Sequence, residues 1–140
     1  PVVQALILRI SKQFSELASS LLGLLERGNA RLRSVIGRTI ALSQNSEAWE
    51  TVLKYMEEET NQGVRADIIT AYILNSAGPE TAIPTATLER WIGSDELLEA
   101  LSCVMALSVT GAPTPTGLAE KANEKNRAAL GPWLESLNWK

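Results

Sequence analysis

The chain has 140 residues, enough for one ordinary domain with an arm and too few for two domains that each bury a sizeable core. Its 45% hydrophobic and 21% charged residues, with only 9 Gly and 6 Pro, exclude disorder, collagen-like repeats and low-complexity linkers. The formal charge of −3 argues against a free, nonspecific nucleic-acid binder, and the absence of His beside a single cysteine, Cys103, excludes an intramolecular disulfide, a His/Cys metal cage and a His-assisted nucleophile.

Apolar residues recur with helical spacing nearly everywhere, and alternating β-branched runs bounded by Asn-Gly or Asp-Gly turns are absent, which predicts an all-α fold. A first helix is expected from about Val2 to about Glu26. Gly28-Asn29 then stops or bends it before a second segment from Ala30 to Ser43. Together, residues 1–43 form an N-terminal helical arm or hairpin. Pro1 is what remains after an initiator Met is removed, or it marks the edge of a longer chain. No basic n-region precedes the apolar run, and Arg9, Lys12 and Glu16 interrupt it, so no signal peptide is expected.

Residues 44–140 read as a bundle of about four helices. Gln44-Asn45-Ser46 supplies capping chemistry for a helix bearing Trp49, Val52, Leu53 and Met56 at i, i+3, i+4 and i+7. Asn61-Gln62-Gly63 makes a turn, and Val64 to Ser76, apolar almost all round through Ile68, Ile69, Tyr72, Ile73 and Leu74, is the expected central helix. Ala77-Gly78-Pro79 ends it. Thr85 caps a short helix with Leu88, Trp91 and Ile92, closed by Gly93. Ser94 caps the next, from Asp95 to Val109, which carries Leu97, Leu98, Leu101, Val104, Met105 and Leu107. After the loop Gly111 to Gly117, a last helical region from Leu118 to about Trp139 is expected to break or bend at Gly131-Pro132. The uncharged stretch beginning at Ala100 meets Gly111 and Pro113 too soon to span a membrane, so no membrane insertion is expected.

Two signals bear on function. Val3, Ile7, Ile10, Phe14, Leu17, Leu21 and Leu24 form a continuous a/d seam through the arm, with Leu25 and Arg27 among its weakly charged flanks. Its destination is either the chain's own bundle or a neighbouring subunit. A helix ~36 Å long overhangs a bundle of shorter helices, so burial between subunits is expected. The second signal is charge layout. Arg9, Lys12, Arg27, Arg31, Arg33 and Arg38 make residues 1–43 net basic by +4, whereas residues 44–100 carry −8. Such asymmetry suits one surface that meets a polyanion and another that meets solvent. Arg31 and Arg38 lie seven residues apart on one helix face, and arginine forks onto phosphate oxygens. Glu57, Glu58 and Glu59 make either a solvated acidic face, the commoner case, or, if the helix stops there, a C-terminus where the macrodipole calls for a nearby cation.

Catalytic chemistry is not expected. The acidic residues sit side by side on helix surfaces or at a cap rather than across a pocket. Cys103 lies among Leu101, Val104 and Met105, and Trp49, Trp91 and Trp133 fall on apolar faces, so packing accounts for all four. Neither a phosphate-binding glycine loop nor a metal motif is present, and no cofactor is implied.

The order of parts, Val2 to Ser43 as arm and Ser46 to Lys140 as bundle, resembles the α-helical coat proteins of filamentous, archaeal-type viruses. In that family a helix-turn-helix arm wraps nucleic acid and a helical bundle faces outward. The resemblance implies a self-assembling coat or nucleoprotein, located in a virion, whose arm cations contact a DNA or RNA backbone and whose apolar arm faces bury against adjacent subunits. The alternative is an oligomerising adaptor or scaffold, phosphoprotein-like and cytoplasmic, that associates through the Val3 to Leu24 seam and binds a protein partner with its bundle.

Overall fold

The computed structural model describes residues 20–43, 45–75, 82–110 and 114–137. Every regular element among them is helical. Helix α1 is described over 20–27. It is followed by α2 (Ala30–Leu42), α3 (Ser46–Glu58), α4 (Gln62–Leu74), α5 (Thr85–Ile92), α6 (Leu97–Thr110) and the single turn α7 (Leu118–Lys121). A 3₁₀ turn (Glu124–Asn126) then leads into α8 (Arg127–Leu137).

Three of these helices start in the same way, from asparagines sixteen residues apart. Asn29, Asn45 and Asn61 each accept, on the side-chain oxygen, the N–H of the residue three positions on: Leu32 at 2.9 Å, Ala48 at 3.0 Å and Val64 at 3.1 Å. Each cap satisfies one of the donors that a helix start leaves without an intrahelical partner. At α5 the geometry differs from expectation. Thr85 is the first helical residue, and Pro84 occupies the cap without a side-chain bond, since its fixed φ suits that position. Ser94 does not cap α6: its Oγ accepts from Glu96 N at 3.1 Å in a turn ahead of the helix, which begins at Leu97 rather than Asp95, with the Glu96 carbonyl accepting the first helical bond from Ala100 N.

Helix α4 packs between α2 and α6, and α6 in turn packs on α5 and α8. One core runs through these elements, from Leu25 and Ile40 through Trp49, Ile68 and Leu88 to Leu137. The approach of α2 to α4 is made at Gly37. A Cβ there would lie 2.6 Å from Cγ1 of Ile68, itself fully buried. Trp49 of α3 stacks on Tyr72 of α4, ring centroids 5.5 Å apart and planes within 4°.

Residues 30–42 are therefore part of the same core as the bundle, not a free arm: Ile36, Gly37, Ile40 and Ala41 are buried, because α4 has apolar residues on both of its sides. Of the break or bend expected at Gly131-Pro132, the break is absent. Helix α8 continues through Pro132, held by buried Leu130, Leu134 and Leu137 on either side of it. The chain breaks earlier, at Ala122 and Asn123, where Asn126 donates to Ser94 O at 3.0 Å and Arg127 Nε to Ala122 O at 3.1 Å. Leu74, expected in the core, is 76% exposed on the last turn of α4.

Candidate nucleic-acid and assembly face

The junction between α1 and α2 is tight. Gly28 N donates to Leu24 O at 2.7 Å, and a Cβ on Gly28 would lie 2.7 Å from that oxygen and 3.0 Å from Cδ2 of Leu32. Glycine is thus required for the close approach of the two helices. On either side of this junction Leu24, Leu32 and Val35 are 43%, 37% and 52% exposed. Exposed Arg27, Arg31 and Arg38 border this apolar strip. Arg27 Nε donates to Gly23 O at 3.0 Å. None of the three is in an ion pair among the described residues.

Arg33 behaves differently. Its Nε lies 2.8 Å from Oε2 of Glu59 and its second terminal nitrogen 3.1 Å from Oε1, while the remaining arm of the fork donates to Gly28 O at 2.8 Å. Glu59 has almost no exposed side-chain surface. It accepts in addition from the Tyr55 hydroxyl and, at 2.9 Å, from Asn61 N. Burial alone would raise the Glu59 carboxyl, but donation from Arg33, Tyr55 and Asn61 outweighs it and the net shift is downward. Burial, followed by the Glu59 contact, pushes the Tyr55 hydroxyl well above its usual range. Arg33 is raised by the same pairing. Arg33 therefore fastens the α1–α2 junction to the α3–α4 junction and has no free fork to offer a phosphate.

Cations do collect at the carboxylates that close α3. The Arg65 guanidinium donates to the carbonyl of Glu59, the last turn's cap, and forks onto Glu99, with 3.1 Å to Oε2. Glu99 is fully buried. Arg90 pairs with Glu57, which also accepts from the Thr87 hydroxyl at 2.6 Å; the Arg90 and Thr87 contacts lower the Glu57 carboxyl. Both guanidinium groups lie over the Trp91 ring, 5.3 Å and 5.6 Å from its centroid. The macrodipole argument anticipated a cation at Glu57 to Glu59. It could not say which one, and the Arg65–Glu99 pair carried no signal in the sequence because its members are thirty-four residues apart.

Of the seam residues, Leu21 packs against the core and Leu24 faces solvent, while Leu25, a flank position in the heptad reading, is buried. The face turned inward at this end of the helix is Leu21, Leu22 and Leu25. Val3, Ile7, Ile10, Phe14 and Leu17, with Arg9 and Lys12, lie outside the described residues. Cys103 is buried, and burial pushes its thiol up. Trp49 and Trp91 are core residues, whereas Trp133 is 48% exposed.

Elsewhere, a cavity of about 560 Å³ is lined by Thr114, Thr116, Glu120, Arg127 and Glu135, but Arg127 already donates to the Ala122 and Glu120 carbonyls at its edge. Among the described residues no group of His, Cys, Asp or Glu could hold a metal ion, and no helix is long and apolar enough to cross a membrane. No family model matches the chain, and neither a curated protein nor a solved structure is detectably similar to it.

Proposed function

We propose that the chain is a self-assembling structural protein of the coat or nucleoprotein kind, holding a nucleic-acid backbone without reading its bases through the outer face of α1 and α2. The observation that carries this reading is how the arginines are divided. Arg33, Arg65 and Arg90 each have a glutamate of their own and Arg127 donates to the Ala122 and Glu120 carbonyls, while Arg27, Arg31 and Arg38, gathered on α1 and α2, stand exposed without an ion pair among the described residues. Arg31 and Arg38, seven residues apart, are separated by ~10.5 Å along one helix face, and their forks suit phosphate oxygens. Nothing in this arrangement supplies the base-edge readers of a sequence-specific protein.

Filter binding or anisotropy across a salt series tests the reading. Binding to DNA or RNA should be independent of sequence, and Arg31→Gln with Arg38→Gln should lower the slope of log K against log salt by roughly 0.9 per contact on duplex or 0.7 on single strands. Arg31→Lys should have a milder effect, because the charge remains and only the fork is lost. Absence of binding at low salt sinks the proposal. The second reading then stands, an adaptor, favoured by the exposure of Leu24, Leu32 and Val35 among the same arginines, a mixture that fits an acidic amphipathic helix of a protein partner.

A further inference from the structure

The cavity between the loop ahead of α7 and helix α8 is lined by charges that do not match one another. Arg127 stands exposed on it. Its bonds from Nε to Ala122 O and from one terminal nitrogen to Glu120 O, both at 3.1 Å, orient the guanidinium without neutralising it, and leave the other terminal nitrogen without a partner among the described residues. Glu120 and Glu135 line the same cavity, yet neither carboxylate is in an ion pair with Arg127 or with any other cation among the described residues. Buried Leu118 and Leu134 supply an apolar lining. The walls are fixed: the Thr114 hydroxyl donates to Leu137 O at 3.1 Å, and Gly117 turns the chain into α7 at a φ of 73°, where any other residue is strained. Outside its chain neighbours, a Cβ on Gly131 would meet nothing within 4 Å, so the α8 side is open. The volume of about 560 Å³ is that of a small-molecule site.

We propose that this cavity binds a free dibasic amino acid of the lysine or arginine kind. Charge selects the ligand class. Two carboxylates and one guanidinium call for two cations and one anion on a single small molecule, and the aliphatic stem that joins them suits Leu118 and Leu134. The ligand carboxylate takes the open nitrogen of Arg127 in a charge-assisted bond, while the α-ammonium and the side-chain cation go to Glu120 and Glu135. A diamine leaves Arg127 unmet, an anion meets two like charges, and an apolar occupant desolvates all three groups without a partner. A lysine side chain of the chain's own, such as Lys140 three residues past Leu137, brings one cation and leaves the guanidinium and a carboxylate unmet. No lining residue belongs to α1 or α2, so the inference holds whatever that face binds.

Calorimetric titration of the full 140-residue chain with L-lysine and L-arginine, read alongside amide NMR shifts, tests it. One salt-sensitive site is expected, with shifts centred on residues 114–135. Glu120→Gln and Glu135→Gln should each weaken binding roughly tenfold, the loss of one charged hydrogen bond. Cadaverine, which lacks the carboxylate, and side-chain-acetylated lysine, which lacks the second cation, should each bind roughly tenfold more weakly than lysine for the same reason. Ala119→Phe, at an exposed position lining the cavity, should abolish binding while circular dichroism and thermal unfolding stay unchanged. Lys140→Gln should bind as the wild type does. No binding at about 10 mM lysine overturns the inference. So does cadaverine that binds as well as lysine, which reduces the site to carboxylates in solvent, and so does binding gained only in Lys140→Gln, which gives the cavity to Lys140 itself. Nucleic-acid binding without lysine binding defeats this inference alone, whereas lysine binding by a chain that ignores nucleic acid defeats only the proposed function.

Discussion

Arg33 stands, in the sequence, among five other cations of a basic segment, and its spacing sets it on the opposite margin of the apolar stripe from Arg31 and Arg38 without naming a partner for it. Among the described cations of that segment it is the one whose charge is consumed internally, by a glutamate twenty-six residues away and by the carbonyl of Gly28. Replacement by Met removes two charge-assisted bonds and leaves a buried Glu59 with Tyr55 and Asn61 as donors, a loss of about 2 kcal/mol in urea unfolding. The pH dependence has a definite sign. Glu59 is held below its ordinary range in the folded state, so it binds fewer protons folded than unfolded. Its contribution is complete above the unfolded carboxylate pKa of about 4.3 and is lost as pH falls through the lower folded value. Stability measured from pH 7 down to pH 2 should therefore drop on the acid side, and Glu59→Gln should flatten that limb. An unchanged acid limb in the variant would mean that other carboxylates dominate acid unfolding.

At the scale of elements, the starts of helices follow from short-range chemistry, and what they face does not. Asn29, Asn45 and Asn61 announce α2, α3 and α4 because a cap needs only a side chain three residues from its donor. The role of Gly37 in α2 depends instead on Ile68 of α4, which no local pattern names. Gly37→Ala should raise helix propensity by up to about 1 kcal/mol. It nonetheless places a methyl against a β-branched, fully buried side chain with no room to turn, so a net destabilisation of about 1–2 kcal/mol is expected by thermal or urea unfolding. A stabilised variant would show that α2 can move off α4 at little cost. Pro132 illustrates the reverse error of local reading. A proline inside a helical pattern usually breaks it, yet in α8 the packing of Leu130, Leu134 and Leu137 carries the helix through.

For the molecule as a whole, the division into a basic segment and an acidic body is real as chemistry, while the boundary at residue 43 does not separate two cores among the described residues. Residues 44–140 expressed alone should lose the partners of Ile68 on α2 and of Glu59 at Arg33, exposing apolar surface on α4. Cooperative unfolding should be lost and dye binding to exposed apolar surface should appear; a fragment that unfolds as sharply as the full chain would show that α2 is dispensable. The all-helical class, the cap at Asn45 with the chain breaks at Asn29 and Asn61, the central position of α4 and the burial of Cys103, Trp49 and Trp91 were all determined by the sequence alone. Each depends on periodicity or on contacts within four residues, and both are written into neighbouring positions. The tertiary structure decided which arginines are spent on glutamates, that Leu25 rather than Leu24 turns inward, that α2 belongs to the core, and that Trp133 stays at the surface. Those outcomes depend on side chains twenty-six or more residues apart, or on which of several apolar stripes a helix turns toward its neighbours, and helical spacing repeats too regularly to choose between them.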